Sequence, residues 1–185
     1  TTNVSDAAGN AATVNTGTSF TYDITAPTIS GGVAITSATG IQNNLLNAGD
    51  NVSVTVTFSE NVPVTNTPQL TLAVGDDNQT ATYTSGDNST TLVFQYMIQA
   101  GDNDSNGISI RANALALNNG TIRDLAGNNA TLTHSAVDNN SSYKVDNTLP
   151  TVSSVAFSSE LTEGRQILSG YGFLNEGDNV SVTAT

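Results

Sequence analysis

The chain has 185 residues, of which 16 are acidic and 4 are basic, so its net charge at pH 7 is −12. This charge excludes the basic surface that nucleic-acid binding requires, and it disfavours contact with anionic membranes. With 37% hydrophobic residues and no cysteine, the composition suits one β-rich domain with additional pieces rather than a disulfide-stapled fold. The apolar runs are short, so we expect no membrane insertion of this segment, and targeting signals would lie outside it.

Apolar and polar residues alternate along several segments, which predicts half-buried β-strands. In NVSVTVTFSENV, Val52, Val54, Val56 and Phe58 fall on one face of such a strand. The other predicted strands are QLTLAV at 69–74, ATYT near Tyr83, TLVFQYMI at 91–98, ISI at 108–110, TIRD near Ile122, ATLT near Leu132 and SSYKV at 141–145. RANALAL, at 111–117, is the segment in which we expect a helical turn. Turns rich in Gly, Asn and Asp separate the strands, and together they predict an all-β, immunoglobulin-like Greek-key β-sandwich.

Three segments recur along the chain. ITAPTIS at 24–30 returns as NTLPTVS at 147–153, NAGDNVSVTVT at 47–57 as NEGDNVSVTAT at 175–185, and VSDAAGNAATV at 4–14 as IRDLAGNNATL at 122–132. Surface loops accept insertions, which accounts for offsets that differ between the three pairs. The repeats predict a complete module at 26–147, the C-terminal strands of a preceding module at 1–25, and the N-terminal strands of a following module at 148–185.

The segments FSENV, DLAGN and VDNTLP occur in this order at 58–62, 124–128 and 145–150. In this respect the chain resembles the bacterial immunoglobulin-like repeats of large cell-surface proteins, the Bap-like and RTX-type adhesins. The resemblance implies tandem β-sandwiches in an extracellular stalk on the cell surface, with calcium as the cofactor at loops and module junctions. It also implies that the partners are neighbouring modules or copies of the chain, and that a glycan or surface ligand binds only through other domains.

The loop AGDNDSNGIS contains the pattern D-x-D-x-N-G, formed by Asp102, Asp104, Asn106 and Gly107. Oxygens at alternate positions followed by a glycine match the opening of a calcium loop. Position twelve of that loop is Asn113 rather than the bidentate glutamate of an EF-hand, and the flanking residues alternate as strands do. The segment is therefore either a calcium loop of another type or a polar turn.

A second candidate calcium site lies at the module junction. Asp23 and Asp146 each lead into a proline, and Asp6 and Asp124 of the D-x-A-G-N motif are expected at the same pole of the sandwich. Glu60 ends an alternating strand, where it points into that pole or remains an exposed charge at the strand end. The alternative for each D-x-A-G-N motif is a tight turn in which the aspartate accepts backbone N–H groups and the glycine adopts a positive φ.

The sequence offers no recognisable set of nucleophile, base and orienting group, so we expect no catalytic activity. His134, the one histidine, is expected at the surface near a strand end. Asp76 and Asp77 form a carboxylate pair, but they lie in a turn signal, and a glycosidase cleft needs aromatic walls. A carbohydrate-binding module would also need an exposed aromatic platform, and alternation buries at least Tyr96.

Three interpretations of the chain's role remain, of which a carbohydrate-binding module is the last. The favoured one is a non-catalytic structural repeat of an extracellular adhesin or stalk, stiffened by calcium. The alternative is a subunit of an extracellular filament or surface layer, in which neighbouring copies complete the end modules by strand donation. Joining DNVSVTAT at 178–185 to TTNVSDAAGN at 1–10 gives one alternating run that would supply such completion. Otherwise the two ends fold onto the edges of the central module.

Overall fold

The computed structural model describes residues 5–10, 22–160 and 179–184. Within these ranges the chain forms strands and turns without an α-helix, so they hold no helix capable of crossing a membrane. The all-β class predicted from the sequence is therefore confirmed. The chain divides into two compact units, Thr1–Asn147 and Thr148–Thr185, and each is described by itself.

The first unit is built on an antiparallel sheet. Its strands are β1 (Ile29–Thr39), β2 (Leu45–Leu46), β3 (Asn51–Val62), β4 (Val64–Thr65), β5 (Gln69–Val74), β6 (Asp77–Ser85), β7 (Ser89–Met97), β8 (Leu115–Ala116), β9 (Thr121–Ile122) and β10 (Lys144–Val145). Six of them form a sheet in the order β1-β3-β7-β6-β5-β8. The remaining strands form two short ladders, β4 with β9 and β2 with β10. The main sheet curls, which is consistent with a β-sandwich.

The core lies on one face of this sheet and follows the predicted alternation. In β3, Val52, Val54 and Val56 are fully buried, and Phe58 is 2% exposed. β5 and β7 bury their alternate residues in the same way, namely Leu70, Leu72, Val74, Leu92, Phe94 and Tyr96. Burying a side chain of this size contributes about 1.5–3 kcal/mol, so β3, β5 and β7 contribute much of the stability of the first unit.

Segments after β7 cover the core with few ladder contacts. Single bridges join Ser109 to Ala73, Ile110 to Val137 and Asp104 to Val145. The predicted strand at 108–110 is therefore not a regular strand, although Ile108 and Ile110 are buried. Of the predicted strand at 141–145, only β10 is regular.

No strand is predicted from the sequence at 29–39, yet β1 is one of the longest strands in the described residues. Its pairing with β3 shifts register between Ile29 and Gly32, and again between Ile35 and Ser37. The first shift inserts two residues of β1 and the second inserts one, so the alternation is interrupted twice and no unbroken period of two marks this segment in the sequence.

The helical turn expected at 111–117 is wrong. Asn113 has a φ of 58°, which is outside the helical region, and Leu115 pairs with Leu70 at the start of β8. Leu115 is 6% exposed, so burial against β5 overrides the helix propensity of the Ala and Leu residues around it. The segment closes one edge of the main sheet.

In the second unit, β11 (Val155–Glu160) pairs with β12 (Asn179–Ala184) in an antiparallel ladder. Val155 lies opposite Ala184 and Phe157 opposite Val182. In the first unit, VAI at 33–35 is similar to VAF at 155–157, and there Val33 lies opposite Val56 and Ile35 opposite Val54. The two pairs of strands therefore share one register over these residues.

The turn between β5 and β6 brings a glycine against another loop. Gly75 and Asp76 connect Val74 to Asp77, and Gly75 has a φ of 60°, as the first central residue of a type II′ hairpin turn requires. A Cβ atom at this position would lie 2.3 Å from the carbonyl oxygen of Asn103. Both the φ and the close approach of the Asn103 backbone select glycine here.

We expect Gly75→Ala to destabilise the first unit more than Gly49→Ala does. Gly49 also has a positive φ, 97°, but no atom lies within 4 Å of the position of its missing Cβ. The Gly49 change should cost only the backbone term, about 1–2 kcal/mol, and the Gly75 change adds the displacement of the Asn103 backbone. The free energy of unfolding in urea measures both, and equal losses would contradict the close approach.

Candidate functional site

Three acidic side chains meet at one end of the first unit. A carboxylate oxygen from each of Asp23, Glu60 and Asp124 lies within 4.8 Å of the other two. We call these residues the acidic cluster. They come from the segment before Pro27, from the end of β3 and from the turn after β9, which are far apart in the sequence.

Hydrogen bonds between backbone segments bring the acidic cluster together. The Ser59 N–H donates to the Thr28 carbonyl at 2.8 Å, which holds the segment leading into β1 beside the end of β3. The Asn128 side-chain amide donates to the Asp23 carbonyl at 3.1 Å and to the Asp124 carboxylate at 2.6 Å. Asn128 therefore ties the incoming segment to the turn that carries Asp124.

Asp124 itself closes a tight turn. Its carboxylate accepts the Asn128 N–H at 2.8 Å, and Gly127 has a φ of 98°. Asp6 makes the same turn, with the Asn10 N–H at 2.9 Å and a φ of 85° at Gly9. The two D-x-A-G-N motifs thus share one local geometry, in which the aspartate accepts backbone N–H groups.

The environment moves the pKa values of the acidic cluster in opposite directions. Burial raises the pKa of Asp124, but the hydrogen bonds from Asn128, Gly127 and Ala126 outweigh it, so the net pKa lies below its usual value. Burial, together with the charges of Asp124 and Asp23, raises the pKa of Glu60. Like charges that raise a carboxyl pKa repel one another when all three are ionised, and a bound cation would relieve this repulsion.

The carboxylate of Asp102 lies in the interior, where it is 6% exposed. One oxygen accepts the Tyr96 hydroxyl at 2.6 Å and the Gln99 N–H at 2.8 Å, and the other accepts the Gln79 side-chain amide at 2.8 Å. Burial, followed by the hydrogen bond and the charge of Asp102, raises the pKa of Tyr96. Asp102 thus ties its loop to β6 and β7.

Asp104 is 3% exposed and also accepts protein donors. One oxygen accepts the N–H groups of Asn106 and Gly107, at 3.1 and 2.7 Å, and the other accepts the Gly75 N–H at 2.8 Å. Asn106 is exposed. The D-x-D-x-N-G segment therefore holds its own backbone and the β5–β6 turn through its two carboxylates.

Asp146 is exposed, and its N–H donates to the Leu46 carbonyl at 2.9 Å. The next residue, Asn147, connects several segments. Its side-chain amide donates to the carbonyls of Asp102 and Gln99, at 2.7 and 3.1 Å, and its side-chain oxygen accepts the Ala48 N–H at 2.7 Å. Of the two junction aspartates, the acidic cluster contains Asp23 and not Asp146.

The candidate site residues predicted from the sequence are mostly aspartates, and the asparagines that position them were not predicted. The side chain of Asn128 makes two hydrogen bonds to other residues, and that of Asn147 makes three. The signal was present for Asn128, because its asparagine recurs at Asn10 in the D-x-A-G-N motif. For Asn147 the cue was its place in VDNTLP, which ends the first unit.

His134 was expected at the surface, and this prediction is wrong, because it is 7% exposed. Its Nε2 accepts the Ala114 N–H at 2.8 Å, so Nδ1 carries the proton and donates to the Ser135 carbonyl at 2.8 Å. The ring therefore holds the segment before β8 in place. Tyr96, 6% exposed, is buried as alternation predicted.

Comparison with protein-family models, with characterised proteins and with solved structures finds no significant match to this chain. The fold and the site define an all-β protein with an acidic cluster at one end of its sheet. The function must therefore be argued from these residues and from the physical chemistry of their arrangement.

We expect Tyr96→Phe to lower the free energy of unfolding by about 1.5–3 kcal/mol at neutral pH, the range for a hydrogen bond to a charged group. Because the fold raises the pKa of Tyr96, its stabilisation is complete below the ordinary tyrosine pKa of about 10 and is lost as the pH rises above it. The stability of the unsubstituted protein should therefore fall more steeply above this pH than that of the variant. Tyr143→Phe, at a half-buried position, is the control. Equal losses for both variants would argue against the Tyr96–Asp102 bond.

Asn147→Asp is nearly isosteric, but it replaces an amide donor with a carboxylate. Two backbone carbonyls, those of Asp102 and Gln99, would then face a negative charge. We expect a loss of about 1–3 kcal/mol in the free energy of unfolding. Asn139→Asp, at an exposed position, makes the same change of charge, and thermal melting that does not separate the two variants would refute the bridging role of Asn147.

Proposed function

We propose that the chain is a non-catalytic structural module of an extracellular stalk or adhesin at the cell surface, stiffened by calcium. The observation that carries this proposal is the acidic cluster, because it joins the segment entering the first unit, at Asp23, to the end of β3 and to the turn after β9. A cation held there would fix the angle at which the chain enters the sheet. Fixing that angle in each module would make an array of modules stiff.

Two structural correspondences support a tandem arrangement of immunoglobulin-like modules. The β11–β12 pair has the register of β1 and β3, and the turns at Asp6 and Asp124 have the same hydrogen bonds. Sequence repeats that also fold alike are what successive modules of one array would contain. Short proline-containing linkers between such modules would transmit force and spacing without chemistry.

The acidic cluster suits calcium better than the Asp102–Gly107 loop does. In the loop, one oxygen of Asp102 and one of Asp104 each accept two protein donors, which occupies the lone pairs that a cation would use. In the acidic cluster, three carboxylates from separate segments converge, and although Asp124 accepts the Asn128 amide groups, no hydrogen bond lowers the pKa of Glu60. Calcium takes six to eight oxygen ligands in irregular geometry, and backbone carbonyls and water would complete the shell.

A second candidate function is a subunit of an extracellular filament or surface layer. The described part of the second unit is one antiparallel pair of strands, and a two-stranded pair is marginally stable in water by itself. Strands from a neighbouring copy would complete its sheet by donation. In a stalk, the following residues of the same chain would do so instead.

We expect calcium to raise the melting temperature of the protein, and a chelator to reverse the change. A ligand that binds only the folded state adds about 2.7 kcal/mol of stability at a hundred times its dissociation constant. Glu60→Gln should raise the melting temperature in chelator, because it removes a like charge. The same variant should gain less from calcium than the unsubstituted protein does.

The matched control is Asp76→Asn, which removes one negative charge at an exposed turn far along the chain from the acidic cluster. It should leave the response to calcium unchanged. Scanning calorimetry in calcium, in magnesium and in chelator provides the comparison. If calcium shifts all three proteins equally, the acidic cluster is not the site, and if it shifts none, calcium has no structural role.

A further inference from the structure

The main sheet has two edges that differ in how they are covered. On the β5 side, β8 pairs with Gln69 and Leu70, and Ser109 bridges to Ala73. On the other side, β1 is the last strand of the sheet. Among the described residues, the one bridge on its outer side joins Thr28, before the strand begins, to Thr131. The N–H and C=O groups along the outer edge of β1 therefore point away from the sheet, and they have no strand partner among the described residues.

Charge is missing from this edge. The residues from Ile24 to Gly49, which include all of β1, contain no Asp, Glu, Lys, Arg or His, although the chain carries 20 Asp, Glu, Lys and Arg residues. Natural sheets protect open edges with charged side chains, prolines or bulges, and β1 has two bulges but neither a charged residue nor a proline. In a chain with a net charge of −12, two copies repel one another least where both surfaces are uncharged.

Core packing is also incomplete along β1. Ile29, Val33 and Ala38 pack against the buried core but remain partly exposed. A groove beside the strand is lined by residues of β1 between Ile29 and Val33, by the segment 133–136, and by Ala112 and Asn113. An added strand would bury these side chains further and lengthen the sheet.

We propose that the outer edge of β1 pairs antiparallel with β1 of a second copy of this chain. A twofold axis brings the same edge of both copies together, so one strand supplies both halves of the interface. The ladder to β3 is regular from Gly32 to Ile35 and from Ser37 to Thr39, and the first of these stretches is the longer one available for pairing on the other side of β1. The pairing would bundle neighbouring chains side by side, and it goes beyond the proposed stalk function because it needs neither calcium nor the second unit.

The twofold axis would pass close to Ala34, which is exposed and lies opposite Thr55 of β3. We expect the full chain to dimerise reversibly, with a dimer fraction that rises with protein concentration and with salt, since salt screens the repulsion between copies. Ala34→Lys and Ala34→Glu each place two like charges across the axis and should each abolish the dimer. An equimolar mixture of the two variants should restore it. Analytical ultracentrifugation measures all four samples.

Thr82→Lys is the matched control, because Thr82 is exposed on the same sheet but lies between Gln69 of β5 and Gln95 of β7. It should dimerise as the unsubstituted chain does. Amide hydrogen exchange provides a readout that does not depend on any variant, with protection of residues 32–35 rising as the protein is concentrated. A monomer at every concentration, a dimer that survives both Ala34 changes, or full protection of this edge in the dilute monomer would each overturn the proposal.

Discussion

The structure depends on the rule that a backbone N–H group taken out of water must find an acceptor. The long strands of the main sheet satisfy this rule with long ladders, whereas the segments between Asp102 and Asn147 are held by two-residue ladders and single bridges. Aspartate and asparagine side chains supply the missing hydrogen-bonding groups, as Asp104 does for Gly75 and Asn147 does for Ala48. Every non-glycine residue with a positive φ in the described part of the chain is an asparagine, which tolerates this conformation better than other residues. The high content of Asn, Asp and Gly therefore serves the fold directly.

The same chemistry limits where a cation can bind. A carboxylate that accepts several N–H groups is already satisfied by the protein, as at Asp102 and Asp104. Glu60 differs because burial, followed by the charges of Asp124 and Asp23, raises its pKa, and no hydrogen bond lowers it. The acidic residues thus divide into those that only hold loops, such as Asp102 and Asp104, and those of the acidic cluster, where charge remains to be neutralised although Asp124 also holds its own turn. The acidic cluster is the place at which a bound metal would fix the angle between the incoming chain and the sheet.

Calcium binding at the acidic cluster would depend on a charged surface, whereas pairing between copies at β1 would depend on an uncharged one. The acidic cluster concentrates negative charge where the chain enters the sheet, whereas β1 removes charge from the outer edge. Ion binding would act along an array of modules, and strand pairing would act between arrays. The bulges in β1 restrict regular pairing to a short stretch, which limits how far an open edge can recruit other chains.

The sequence by itself determined the class of fold and its central strands. The alternation in β3, β5 and β7 and the turn geometry at Asp6 and Asp124 depend on residues that are close together in the chain. Tertiary structure decided the rest. Segment 29–39 forms the strand β1 although bulges interrupt its side-chain alternation, and His134 is buried against the segment before β8. Tertiary structure also placed Asp23 and Glu60 beside Asp124 but left Asp146 outside the cluster. Local patterns cannot report such contacts, because packing of the sheet sets the distance between residues that are far apart along the chain.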